Sequence, residues 1–96
     1  MLRARAPNRQ LTAATRECYE AAARLDRKQT VRIRMTLAIE EGYAHVEKPT
    51  ILDGTLSDET TRKCVLKSFA GARWRTHSAD RAFMFEATYS LGELIH

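Results

Sequence analysis

The sequence predicts an α+β domain with the element order αββαβ. It would have a three-stranded antiparallel sheet, order 2-1-3, with two helices packed on one face. Three observations predict it. Apolar residues recur at every second position from Val31 to Ile39 and again from Phe83 to Leu91, the period of a strand with one covered face. Two stretches with helical spacing, Thr12 to Leu25 and Asp58 to Ala70, are placed so that each can cover that face. Between two alternating runs lies Glu41-Gly42, where glycine takes positive φ cheaply and a tight hairpin is the natural connection.

In the first helix Leu11, Ala14, Thr15, Cys18, Tyr19, Ala22 and Leu25 form the inward stripe, with Thr12 as N-cap and alanines raising propensity. Asp26 to Gln29 is a polar connection into the first strand. Val31, Ile33, Met35, Leu37 and Ile39 face inward there, and Arg32, Arg34, Thr36, Ala38 and Glu40 face outward. The second strand resumes at Tyr43-Ala44-His45-Val46-Glu47. Pro49, which has no N–H for a ladder, ends it or marks it as an edge. Asp53-Gly54 is a turn, and Ser57 caps the second helix, whose first turn holds Asp58 and Glu59 against the helix dipole. Thr61, Cys64, Val65, Ser68 and Phe69 make its stripe, and Gly71 suits the position just past its end. Trp74, between Arg73 and Arg75, closes the rim of the core or forms a cation-flanked stacking platform. In the third strand Phe83, Phe85, Ala87, Tyr89 and Leu91 face inward, with Met84, Glu86, Thr88 and Ser90 outward. It lies antiparallel to the first strand and parallel to the second, joined to the latter by a right-handed crossover.

Ninety-six residues make one small domain, residues 11–96, preceded by a flexible basic leader over residues 1–10. The chain is 44% hydrophobic and 29% charged, ordinary for a folded domain, and no apolar run is long enough to span a membrane. The net charge of +4 is unevenly placed: Arg3, Arg5 and Arg9 precede Leu11, and the rest has only one more base than acid. A nucleic-acid-binding domain carries its basic excess on a folded face, so this distribution weighs against one.

Candidate chemistry is sparse. His45, His77 and His96 have no metal-binding spacing, and His45 reads as a solvated histidine on the outer strand face. No Ser or Cys is brought near a base and an orienting partner, no glycine loop cradles phosphate, and Asp58-Glu59 reads as helix-start charge. The expectation is a non-enzymatic domain without metal or cofactor. Cys18 and Cys64 lie on the inward stripes of two neighbouring helices, where two buried thiols and a disulfide are both admissible.

Cys18-Tyr19-Glu20, the Val31-Arg32-Ile33 strand, the turn at Gly42, the Asp53-to-Thr60 stretch, Cys64-Val65-Leu66 and Trp74 occur in an order that resembles the C-terminal domain of the AgmX/PglI family, within the TonB C-terminal-like superfamily. The resemblance covers roughly Leu11 to Leu91. It implies a periplasmic α/β domain, with Cys18 and Cys64 as the paired cysteines. It also implies a role in holding partners in cell-envelope energy transduction or gliding motility, where a segment of an outer-membrane protein is gripped along a sheet edge. Glu40-Glu41-Gly42 stands where the family has Pro-Asp-Gly, and Arg75-Thr76 where it has Phe-Pro.

In the 2-1-3 order the third strand is an edge, and its unpaired backbone groups can take up an incoming peptide. Partner recognition by strand addition is therefore the expected function, with Met84, Glu86, Thr88 and Ser90 tuning the fit. The same edge can pair with a second copy of the chain. The alternative is a small nucleic-acid-binding module that uses Arg32, Arg34, Tyr43, His45 and the basic leader.

Overall fold

A computed structural model describes residues 6–95. The chain opens with an N-terminal helical arm: α1 (Ala6–Ala14), a 3-10 turn over Thr15–Cys18, and α2 (Tyr19–Ala22). There follow β1 (Thr30–Glu40), β2 (Tyr43–Asp53), α3 (Glu59–Ala70), β3 (Arg73–Arg75), β4 (Arg81–Ser90) and a short α4 (Leu91–Ile95). The class is α+β as expected. The sheet has four strands in the order β3-β2-β1-β4, every neighbouring pair antiparallel. The expected 2-1-3 arrangement is its β2-β1-β4 part, so the three-strand count is corrected. The added β3 is too short to show a period, and it pairs only with Tyr43, Ala44 and His45.

The core lies between one face of this sheet and the helices. Val31, Ile33, Met35, Leu37 and Ile39 of β1, Ala44 and Val46 of β2, and Tyr89 of β4 are buried in one cluster. Leu11, Cys18, Ala22, Val65, Phe69, Leu91, Leu94 and Ile95 of the helical segments, with Leu56 and Ala72 of the connections, complete it. Each fully buried Leu, Ile or Phe stabilises by roughly 1.5–3 kcal/mol relative to exposure. Phe69 meets Tyr89 edge-on, ring centroids 5.5 Å apart, which joins α3 to the far end of β4. The Cys18–Cys64 disulfide ties the helical arm to α3, with Cα atoms 5.9 Å apart.

Several boundaries differ from the sequence reading. Helix begins at Ala6, not Thr12, so it takes in part of the stretch expected as a basic leader; residues 1–5, with Arg3 and Arg5, lie outside the described residues. The arm tightens to 3-10 geometry where Thr15 is buried and its hydroxyl donates to the Leu94 carbonyl at 2.6 Å. That bend turns Tyr19 out of the core, 47% exposed, with the Arg27 guanidinium over its ring. Asp58, not Ser57, caps α3, accepting from the Thr61 N–H at 3.0 Å and the Thr61 hydroxyl at 2.7 Å. Gly71 ends that helix in right-handed conformation (φ −91°), its N–H donating back to the Lys67 carbonyl.

β2 runs past Pro49 to Asp53. β1 advances from Arg34 to Thr36 while β2 covers Thr50 to Glu47, so the extra residue forms a bulge at Lys48-Pro49, with Lys48 at φ 52°. A bulge is where a strand accommodates a residue with no N–H. The connection to α3 then passes Gly54 at φ +132°, where a Cβ would collide with the Thr30 carbonyl and lie 2.7 Å from the Val31 Cα.

A candidate docking edge on β4

Glu41 (φ 50°) and Gly42 (φ +83°) form a two-residue turn in which both central residues are left-handed. Such a turn makes Glu40 and Tyr43 a mutually hydrogen-bonded pair. Even-numbered residues of β1 therefore aim their backbone groups at β2, and odd-numbered ones aim theirs at β4. Two hydrogen bonds at the other end agree: the Leu56 N–H donates to the Thr30 carbonyl, and the Leu91 N–H to the Gln29 carbonyl. In β4 the partners of Ile39, Leu37, Met35, Ile33 and Val31 are Arg81, Phe83, Phe85, Ala87 and Tyr89. It follows that Ala82, Met84, Glu86, Thr88 and Ser90 turn their backbone N–H and C=O away from the sheet.

All four residues expected to tune a partner lie on β4. Met84 is 64% exposed on the outer face and Thr88 is exposed opposite Arg32. Glu86 is exposed but engaged: it accepts from Arg32 Nη1 at 2.8 Å and from Arg34 Nε at 3.0 Å. Ser90 has a different task. Its N–H donates to Glu93 Oε1 at 2.7 Å, and its Oγ accepts from the Glu93 N–H at 3.2 Å. That reciprocal pair is a capping box that starts α4, so Leu91, expected as the last inward residue of the third strand, is instead the first residue of a helix. Ser90-Leu91-Gly92-Glu93 carries the Ser-x-x-Glu signal that would have located it. Beyond the edge, Arg9 and Thr12 of α1 face Thr88, Tyr89, Ser90, Gly92 and Glu93 across a hollow of about 550 Å³.

The outer face carries charge in a definite pattern. Arg32 bridges Asp53 at 2.7 Å and Glu86 at 2.8 Å, and Arg34 reaches Glu86 at 2.9 Å, linking β2, β1 and β4. The hydrogen bond from Arg32 holds the Asp53 carboxyl below the usual range. The two arginines expected to contact nucleic acid are thus already paired with acids. Tyr43 is 42% exposed, with the guanidinium carbons of Arg73 and Arg75 at 5.8 and 5.6 Å from its ring centroid. Trp74 points the other way: it is half-buried against the core opposite Ala44, so it closes the rim. His45 Nε2 lies 3.0 Å from Glu47 Oε2. Among the described residues no three His, Cys, Asp or Glu side chains gather as a metal site, and no helix is long and apolar enough to cross a membrane. Burial pushes the Tyr89 phenol upward, and its ring faces Phe69.

No family profile, curated protein or solved structure matches this chain.

Proposed function

We propose that this domain recognises an extended segment of a partner protein by strand addition along β4, without catalysing a reaction. One observation carries the reading: an edge strand whose outward N–H groups at Ala82, Met84, Glu86 and Thr88 have no strand beside them among the described residues. Only another extended backbone matches donors and acceptors repeating at that spacing. The outward side chains of Met84, Glu86 and Thr88 read the incoming residues, and the Ser90–Glu93 cap ends the docking edge. The cross-strand network through Glu86 and the Cys18–Cys64 bridge keep the edge in shape before binding, which lowers the entropic cost of docking.

The proposed setting is the periplasm, as part of the cell-envelope machinery implied by the resemblance to AgmX/PglI and TonB C-terminal domains. The disulfide supports an oxidising compartment. The nucleic-acid alternative has less support, because Arg32 and Arg34 are neutralised by Asp53 and Glu86.

The test is to select extended peptides from a displayed library against the oxidised domain and map bound complexes by amide hydrogen exchange. The Met84, Glu86 and Thr88 amides should become protected. Thr88→Pro removes one outward donor at an edge position where proline is tolerated, so capture should be lost while the melting temperature stays near that of the parent. Capture that survives Thr88→Pro would mean that another surface binds. Strand addition should change little with salt, whereas nucleic-acid binding would weaken steeply.

A further inference from the structure

The outer sheet face holds four arginines, and they divide into two kinds. Arg32 and Arg34 are held by Asp53 and Glu86. Arg73 and Arg75 make no ion pair with any described residue; both guanidinium groups stand against the ring of Tyr43. A guanidinium resting on an aromatic ring keeps its N–H fork available to an anion, and the ring limits the side-chain freedom lost on binding.

The backbone at the same place forms a short free edge. The Thr76 N–H donates to the Gly42 carbonyl at 2.9 Å, so Gly42/Thr76 and Ala44/Trp74 are the bonded pairs between β2 and β3. The N–H and C=O groups of Arg73 and Arg75 therefore both face away from the sheet, leaving this edge unpaired among the described residues. On the Arg73 side a hollow of about 360 Å³ opens, lined by Glu40, Tyr43, His45, Ala70, Gly71 and Arg73 and not by Arg75. Two outward residues are too few for a docked strand, and their outward carbonyls offset their N–H groups, so it is the two guanidinium forks that suit one compact oxyanion.

We infer that the Tyr43–Arg73–Arg75 cluster is a carboxylate-binding site that takes an acidic side chain of a protein partner. Glu40 on the rim selects the class, since its charge repels a second negative charge and disfavours a phosphate dianion. His45 beside it is already turned to Glu47. A nucleic-acid strand needs a longer basic tract, and the neighbouring Arg32 and Arg34 are not free to extend one. The site lies on β3, across the sheet from β4, and does not rest on strand addition.

The experiment is an NMR titration of the oxidised domain with three probes: a short oligoglutamate peptide, inorganic phosphate and an oligothymidylate. The peptide should saturate at millimolar concentration or below, shifting Tyr43, Arg73 and Arg75 resonances, with phosphate weaker at the same groups. The exposed double variant R73Q/R75Q should lose about tenfold or more in peptide affinity. Glu40→Gln should tighten the peptide and narrow its advantage over phosphate, an effect that a purely structural Tyr43–arginine cluster would not produce. Four outcomes overturn the inference: no saturable shift, peptide affinity unchanged in R73Q/R75Q, Glu40→Gln without effect, or phosphate or oligothymidylate binding more tightly than the peptide.

Discussion

Single polar side chains decide how the apolar parts of this chain meet. Thr15 is fully buried in the helical arm, and its hydroxyl reaches the Leu94 carbonyl across 79 residues of sequence. Thr61 is equally buried and divides its hydroxyl between Asp58 and the Ala21 carbonyl, which fixes the start of α3 against the arm. Asp58 receives both Thr61 hydrogen bonds, and these hold its carboxyl below the usual range. The sign of the consequence follows from linkage. Near and below the ordinary aspartate value of about 3.9, the unfolded chain binds more protons than the native one, so stability present above that pH is lost as pH falls through the native value. Asp53, held down by Arg32, acts in the same direction. Urea unfolding of the parent and of Asp58→Asn, from about pH 6 to about pH 3, should show the variant with a shallower acid decline. Equal declines would mean that Asp58 titrates alike in both states.

At the scale of elements, the β1–β2 hairpin sets the backbone phase of the whole sheet, because its two-residue turn decides which residues of β1 face β2 and which face β4. Glu41 holds its left-handed conformation without the help of a glycine, and its N–H donates to Asp80 Oδ1 at 2.9 Å. Asparagine adopts that conformation at lower cost and leaves the N–H in place. Glu41→Asn should therefore raise stability by about 0.5–1 kcal/mol in chemical denaturation, with the β4 edge unchanged. The long alternating runs of β1 and β4 and the stripe of α3 were legible, since period 2 and period 3.6 are written directly into apolar spacing. The hairpin was legible from Gly42. Three-residue β3 and five-residue α4 were not, because each is shorter than the window over which a period can be recognised. Only α4 left a local signal, the Ser90–Glu93 cap.

For the whole molecule, the disulfide is the largest single constraint. It closes a separation of 46 residues between the helical arm and α3. In the chain-entropy model this stabilises by about 4 kcal/mol, a large part of the roughly 5–15 kcal/mol available to a domain. Cys18→Ala/Cys64→Ala should lower the unfolding free energy by an amount of that order, measured by urea titration. A loss well under about 1 kcal/mol would show that the bridge constrains the unfolded chain little. The two proposed recognition surfaces sit at opposite edges of one sheet, β4 with its free backbone groups and β3 with two arginines against Tyr43. Salt should weaken anion binding at the second far more than peptide capture at the first. The sequence alone determined the α+β class, the inward faces of the strands and of α3, the hairpin and the third predicted strand as an edge, because alternation and helical spacing are properties of neighbouring residues. Only the tertiary structure decided which charges remain available. Arg32 and Arg34 look as free as Arg73 and Arg75 when read in a line, and it is the pairing of β1 with β2 and β4 that sets acids beside the first two and a tyrosine ring beside the others.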